Sequence, residues 1–162
     1  MRPFLLIAAA SVAVASAGAA YAGSVGPVSQ ISISFDQKLL DDNEHIIGAP
    51  EQERLETQLR RSIEEAIGGL DSNGGRLELV IEDAKPNRPT FTQLRHNTSL
   101  SYGHSFGVGG AKIKGVYVAP DGSRTAVNYR WYSSDIRDSR YVSDWYDVDR
   151  SFRYFAHELA DG

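Results

Sequence analysis

A serine between two glycines, in the pentapeptide GHSFG from Gly103 to Gly107, comes nearest to a catalytic motif. Gly-x-Ser-x-Gly is typical of the nucleophile elbow of serine hydrolases, in which Ser105 would attack a carbonyl carbon after a histidine accepts its proton. His96 and His157 are the histidines considered for that role. The elbow needs a helix directly after the serine, whereas glycines and strand-like residues follow Ser105. A serine hydrolase is therefore the alternative and not the favoured interpretation.

The same region contains five glycines between Gly103 and Gly115, which suggests a nucleotide-binding loop. A Walker loop requires Gly-Lys-Ser/Thr, and neither Lys112 nor Lys114 has these neighbours. A dinucleotide loop requires a third glycine where Lys112 stands, and a helix after it. We therefore predict no nucleotide and no other cofactor. We interpret residues 100–118 as one bent strand, or as two strands that meet at a glycine corner.

The histidines do not form a metal-binding pattern. His96 and His104 are eight residues apart, His45 and His157 are far from both, and the chain contains no cysteine. Zinc sites use short and fixed ligand spacings. The sequence therefore predicts no metal site and no established set of catalytic residues.

Aromatic and cationic side chains are concentrated in the second half of the chain, and tyrosine, tryptophan and arginine are the residues that dominate binding surfaces. Tyr129 and Trp131 fall on one face of a strand pattern, where packing in the core is the favoured interpretation. The low-ranked candidates for a binding surface are Arg95, Tyr102, His104, Arg130 and Tyr132.

The first 22 residues predict that the protein is exported. Arg2 gives a positive start, an uncharged run rich in alanine follows, and Ala20-Tyr21-Ala22 has the form of a cleavage site before Gly23. We expect a signal peptide over residues 1–22 and a single domain over residues 23–162. Periplasmic localisation is expected, with secretion as the alternative. After cleavage we expect no transmembrane segment, because no second apolar run has the necessary length.

Charge and cysteine content narrow the classes of partner. The chain has 17 Lys and Arg against 21 Asp and Glu, a net charge of −4 that becomes −5 when Arg2 is removed with the leader. An acidic chain without a basic stripe provides no field that would hold a polyanion, so nucleic acid is not an expected partner. A domain of this length can bury a sufficient core without disulfides.

Hydrophobic periodicity predicts the secondary-structure elements in the first half of the chain. Residues 30–36 and 76–83 alternate between apolar and polar side chains, which predicts two strands. Residues 50–69 predict a helix that begins at a proline and ends at two glycines. Its apolar side chains recur at intervals of four residues: Leu55, Leu59, Ile63 and Ile67.

The second half starts with residues 84–99, where two prolines three residues apart predict an extended surface loop without a helix. Residues 112–118 and 125–132 are predicted strands, joined by a Pro-Asp-Gly turn. A final helix is expected to begin near Ser143 and Asp144. The order β-α-β-loop-β-β-α predicts an α+β two-layer sandwich, with a mainly antiparallel sheet and two helices on one face.

The run PNRPTFTQLRHNTSLSYGHSFGVGGAKIKG, which follows LELVIEDA, resembles small exported bacterial proteins of unknown function. In those proteins a proline loop and a GGA-x-I-x-G strand precede a hairpin and a final helix. The resemblance covers the C-terminal two thirds of the chain. It implies a periplasmic or envelope setting and transfers no catalytic residue.

The expected function is therefore that of a non-enzymatic binding or interaction module of the cell envelope. Its expected partner is an unknown envelope protein or ligand, bound through a sheet edge, the hairpin or a loop. A small exported serine hydrolase that uses Ser105 is the alternative. A purely structural or oligomer-forming protein is the third hypothesis.

Overall fold

The computed structural model describes residues 25–44, 46–137, 139 and 142–161. The expected signal peptide over residues 1–22 and the histidine at position 45 lie outside these residues. The described part of the chain is α+β. Its elements are β1 (Val28–Phe35), α1 (Gln37–Asp42), α2 (Ala49–Ala66), β2 (Gly75–Lys85), α3 (Phe91–His96), β3 (Gly110–Val118), β4 (Arg124–Tyr132) and α4 (Tyr146–Asp161).

The four strands form one mixed sheet, and their order β1-β2-β3-β4 follows the chain. β1 and β2 are parallel, while β2–β3 and β3–β4 are antiparallel. The prediction of a mainly antiparallel sheet with two helices is therefore met only in part. The parallel pair exists because α1 and α2 carry the chain back to the end at which β1 started, which a tight hairpin cannot do.

One face of the sheet packs against α2 and α4. The β2 side chains Leu77, Leu79 and Ile81 alternate onto this face and are buried, as the period of two in a strand requires. Both helices also contact each other. The apolar side chains that they bury completely are Leu55, Leu59, Ile63, Val148, Phe152, Phe155 and Leu159.

We call the opposite side of the sheet the open face. Strand alternation and the pairing register place polar or partly exposed side chains on this face, and side chains from adjacent strands lie next to each other across all four strands. The side chains are Ser32, Ser34, Glu78, Val80, Glu82, Lys112, Lys114, Val116, Asn128, Arg130 and Tyr132. A shallow cavity of 620 Å³ lies in its centre, where Ser32, Ser34 and Val116 are small.

The predicted extended surface loop at residues 84–99 is wrong, because it contains α3. Thr90 caps the helix: its Oγ1 accepts from Gln93 N at 3.1 Å, and its N–H donates to Gln93 Oε1 at 2.9 Å. Such a reciprocal capping box starts a helix. Pro86 and Pro89 precede the cap, so neither interrupts the helix. Thr90 is also buried rather than exposed.

The predicted strand over residues 100–118 is correct only from Gly110 onward. Residues 100–109 contain a turn at residues 102–104 and are otherwise irregular, and their backbone bonds to groups outside the sheet. Gly107 N donates to Asn87 O at 2.8 Å, and Gly109 N donates to the Asp147 carboxylate at 3.0 Å. Gly110 then starts β3 with φ of 152°, a left-handed value that favours glycine.

Candidate functional site

β4 lies at one edge of the sheet, with β3 on its inner side. Within residues 25–161, as far as they are described, no strand pairs with its outer side. The strand is nine residues long, and Thr125, Ala126, Asn128 and Arg130 are exposed along it. A free edge presents a row of backbone N–H and C=O groups to which another strand can pair. β4 is therefore a candidate surface for strand addition.

β1, at the other edge, is less accessible because groups from outside the sheet already occupy it. Arg60 Nη1 on α2 donates to Ile31 O at 2.7 Å, and Asp71 N donates to Val28 O at 2.8 Å. Charged side chains and covering loops are common means by which proteins block an edge strand. The two edges of this sheet thus differ, because the described residues occupy the edge of β1 and leave the outer edge of β4 open.

A group of aromatic side chains around Arg150 flanks β4 on the side of the helices. We call Trp131, Tyr146, Arg150 and Tyr154 the aromatic cluster. The Arg150 Cζ lies 5.3 Å from the Trp131 ring centre, and Arg150 Nη2 donates to Tyr154 Oη at 2.9 Å. Tyr146 and Tyr154 remain 37% and 40% exposed. Partly exposed aromatic side chains next to an arginine are typical of binding hot spots.

A second arginine stacks on an aromatic ring on the open face. The Arg130 Cζ lies 5.4 Å from the Tyr132 ring centre. The Tyr132 hydroxyl donates to the Asp83 carboxylate on β2. Burial raises the pKa of Tyr132, and the hydrogen bond to Asp83 raises it further. The hydroxyl is therefore neutral at ordinary pH, and it holds the ring in place beneath Arg130.

Arg130 and Arg150 differ from Lys112 and Lys114 in their partners. Lys112 and Lys114 both bind the Glu82 carboxylate, at 2.9 and 2.5 Å. Among the described residues, neither Arg130 nor Arg150 forms an ion pair. Both guanidinium groups are instead held by aromatic rings, one on each side of β4.

A buried polar network positions the first turn of α4, which carries part of the aromatic cluster. Asn87 Nδ2 donates to Asp147 Oδ2 at 2.6 Å, and Asp147 N donates to Asn87 Oδ1 at 2.8 Å. Asn87 Nδ2 also lies 3.3 Å from Ser139 Oγ. Asn87 and Asp147 are 1% and 2% exposed. This network joins the loop after β2 to α4, and so fixes where Tyr146 stands.

The five predicted binding residues lie on three segments. Arg130 and Tyr132 meet on β4, as described above. Tyr102 and His104 lie in the turns before β3, where the Tyr102 ring stacks under Arg88 at 5.4 Å. Arg95 lies on α3 and donates to Thr92 Oγ1 at 3.4 Å.

Tyr146, Arg150 and Tyr154 were not among the sequence candidates. Their i, i+4, i+8 spacing is the signal that could have identified them, because such residues lie above one another on a helix.

Ser105 lies in the turn region rather than in a nucleophile elbow. Residues 101–104 before it form turns, and no helix follows before β3. Its Oγ accepts from Ser101 N at 3.2 Å. It lines a cavity of 240 Å³ together with Ile46, Leu100 and Phe106. The strand–serine–helix geometry of the elbow is absent from this fully described segment.

The candidate histidines for that chemistry are placed differently. His96 Nδ1 lies 2.7 Å from Thr92 O at the end of α3, and His157 is exposed on α4. In the described ranges no three His, Cys, Asp or Glu side chains are grouped as metal ligands would be. None of the described helices is long and apolar enough to cross a membrane.

No protein-family profile matches the chain, and no curated protein sequence is significantly similar to it. Functional inference therefore depends on the geometry of β4 and its surroundings.

Glu82 on the open face leads to a prediction about pH. Burial tends to raise its pKa, but hydrogen bonds from Lys112 and Lys114 outweigh burial, and the pKa of Glu82 is lowered. A lowered carboxyl pKa contributes stability above the unfolded value of about 4.3, and this contribution is lost as pH falls through the folded value. Relative to the wild type, Glu82→Gln is therefore expected to be less stable at pH 7 by up to about 1 kcal/mol.

Urea unfolding at a series of pH values from neutral to acidic measures this difference. The difference in free energy of unfolding between wild type and Glu82→Gln should disappear when the pH falls below the pKa of Glu82 in the folded protein. The matched control is Glu53→Gln, which removes an exposed carboxylate on α2. A difference in free energy of unfolding for Glu82→Gln that is the same at every pH would contradict a lowered pKa for Glu82.

Proposed function

We propose that this protein is a non-enzymatic interaction module that binds an extended segment of a partner protein along the outer edge of β4. The free nine-residue edge of β4 carries the proposal. The partly exposed aromatic cluster next to it is the second support.

Strand addition explains why these two features lie together. The backbone of an added strand would pair with the outer N–H and C=O groups of β4 and supply affinity. Its side chains would alternate between the two faces of the sheet. One set would pack on Trp131 and Tyr154, and the other would lie on the open face beside Arg130.

The proposed setting is the periplasm or cell envelope, with secretion as the alternative. The support is the sequence of residues 1–22, which has the charge, apolar run and small residues of a cleaved signal peptide. In that setting the partner is an envelope protein, and the single domain would span residues 23–162.

The alternative function, a small serine hydrolase, is favoured by one observation: Ser105 lines a cavity. It is opposed by the missing elbow geometry and by the hydrogen bond that Ser105 already accepts. That alternative requires an esterase or amidase activity of the purified protein that Ser105→Ala abolishes.

Crosslinking from β4 tests the proposal. A photoreactive amino acid at Asn128, on the open edge, is expected to crosslink a defined segment of one envelope protein. The same amino acid at Ser32, on the occupied edge β1, is the matched control. A synthetic peptide of the crosslinked segment should slow amide hydrogen exchange in β4 and leave β1 unchanged, because only β4 gains backbone partners.

A substitution pair makes the same test quantitative. Tyr154→Ala is expected to weaken binding of that peptide about ten-fold, as a hot-spot tyrosine would. Tyr102→Ala removes an equally exposed tyrosine, at 46%, from the turns before β3 and should leave the affinity unchanged. The proposal is overturned if Ser32 crosslinks as well as Asn128 does, or if Tyr102→Ala has the larger effect.

A further inference from the structure

We infer that the segment bound along β4 is acidic, with carboxylate side chains on both of its faces near the Tyr132 end of β4, where Arg130 and Arg150 bind them. This inference rests on the proposed function, because it assigns the chemistry of the segment that β4 takes up. It concerns the part of β4 around Arg130 and Trp131, where the open face lies on one side of the strand and the aromatic cluster on the other.

The two arginines are on opposite faces of the same stretch of β4. Arg130 projects onto the open face, and its neighbour Trp131 projects toward α4, where Arg150 stacks on it. Successive side chains of an added strand also alternate between the faces. Two adjacent residues of a bound segment would therefore meet one guanidinium group each.

Both guanidinium groups are held in place before any ligand arrives. The Arg150 Cζ lies 5.3, 5.7 and 5.7 Å from the ring centres of Trp131, Tyr146 and Tyr154. The Arg130 Cζ lies 5.4 Å from the Tyr132 ring. A planar guanidinium stacked on a ring keeps N–H donors at its edge, and these match a carboxylate. Less conformational entropy is then lost on binding.

The missing partners of Arg130 and Arg150 indicate the charge of the ligand. Three cations close by, Lys112, Lys114 and Arg54, bind carboxylates of this chain, Arg54 with Asp149 at 2.9 Å. What sets Arg130 and Arg150 apart from the exposed Arg124 and Arg153 is that aromatic rings hold their guanidinium groups. In the described part of the protein, Arg130 and Arg150 have aromatic partners and no carboxylate within ion-pair distance. Acidic side chains from a partner would give both guanidinium groups an ion-pair partner.

The acidic groups near β4 limit this preference to one end. Two carboxylates lie at the Tyr132 end, and both are engaged within the protein: Asp83 accepts from the Tyr132 hydroxyl, and the buried Asp147, which acts on Arg150, accepts from Asn87. Glu158 lies next to Tyr129 on the side of α4. Glu158 would repel a carboxylate at that level of the strand. Apolar residues therefore suit the middle of the bound segment, and acidic residues suit the Tyr132 end.

An extended peptide fits this surface better than an anionic polysaccharide or lipid headgroup. Only a peptide satisfies both the row of backbone groups along β4 and the two arginines at its end. The net charge of the whole chain is −4 and repels anions at long range. Preference for an acidic peptide must therefore come from these local contacts.

Three synthetic peptides test the inference on the protein with its full chain after residue 22. Each is nine residues long to match β4, alternates Thr and Val, and is blocked at both ends. One carries two adjacent Glu at one end, the second carries Gln at these positions, and the third carries Lys. The Glu peptide is expected to bind about ten-fold more tightly than the Gln peptide. It should also slow hydrogen exchange in β4, and salt should reduce its advantage.

Substitution of each arginine identifies the contacts. Arg130→Gln and Arg150→Gln should each remove most of the preference for Glu over Gln. Arg124→Gln, at the far end of β4, is the matched control and should retain it. Arg130→Glu should reverse the preference in favour of the Lys peptide. Circular dichroism and unfolding in urea show that the variants remain folded.

The results separate this inference from the proposed function. Equal binding of all three peptides with slowed exchange in β4 would support strand addition and overturn the acidic preference. Binding of the Glu peptide without slowed exchange in β4 would overturn both. If dextran sulfate or anionic phospholipid vesicles bind through Arg130 and Arg150 more tightly than the Glu peptide does, the ligand is not an acidic peptide and the inference is wrong.

Discussion

Asn87→Ala is expected to lower the free energy of unfolding by about 4 kcal/mol, because it leaves several buried polar groups without partners. The Asn87 side chain bonds to Asp147 Oδ2 at 2.6 Å, to Asp147 N at 2.8 Å and to Gly107 O at 3.1 Å. Alanine can replace none of these bonds. Each buried group left unsatisfied costs about 1–3 kcal/mol, and a carboxylate costs more.

Equilibrium unfolding in urea measures this loss, and Asn128→Ala is the matched control. Asn128 is exposed on β4, so its truncation should change stability by less than about 0.5 kcal/mol. Asn87→Ala should also loosen the first turn of α4 and, with it, the position of Tyr146. A change in Asn87→Ala no larger than that in Asn128→Ala would contradict the role given to the network.

Gly110→Ala is expected to lower the free energy of unfolding by about 3 kcal/mol, through backbone strain and steric overlap at the start of β3. Gly110 has φ of 152°, which residues with a side chain rarely adopt. An added Cβ would lie 2.3 Å from Trp131 O and 2.5 Å from Tyr132 Cα. Relief of that overlap requires β3 and β4 to separate where Trp131 and Tyr132 stand.

Gly103→Ala is the control for this prediction, because a Cβ at Gly103 would meet nothing within 4 Å. It should be nearly neutral in thermal and urea unfolding. The two variants thus separate a glycine that the fold requires from one that it tolerates. Equal stability of Gly110→Ala and Gly103→Ala would show that the close approach of β3 and β4 at this point is not as described.

The four strands and the two long helices, α2 and α4, could be predicted because their apolar side chains follow one period over many residues. The short helix α1 was not predicted. Leu77, Leu79 and Ile81 alternate in β2, and Leu55, Leu59 and Ile63 recur every four residues in α2. The parallel pairing of β1 with β2 could not be predicted in this way. Alternation determines which face of a strand is buried, and pairing direction depends on where the connecting helices place the next strand.

The segment after β2 was mispredicted because two local signals conflict there. Pro86 and Pro89 exclude a helix only where they lie inside it, and α3 begins after both. Thr90 and Gln93 carry the spacing of a capping box, which was the better signal. Residues 100–106 also alternate like a strand. They form a turn and irregular backbone instead, and Asn87 and Asp147, distant in sequence, bind the backbone that follows.

Two residues of the candidate site, Arg130 and Tyr132, were candidates from the sequence by residue type, and the structure places both on the edge strand β4. Arg150 could not be assigned to the same site from the sequence, because Trp131 and Arg150 meet only when α4 packs beside β4. Tyr102, His104 and Arg95 were grouped with Arg130 by residue type alone, and they lie on other segments.

The order of the strands has a consequence for biosynthesis. Each strand pairs with the one made just before it, so the sheet can grow in the direction of translation. α4 follows last and supplies Phe152, Phe155 and Leu159, which are completely buried against earlier elements. Until α4 docks, α2 alone covers the apolar side of the sheet. The core is therefore closed only when residues 146–161 have joined the fold.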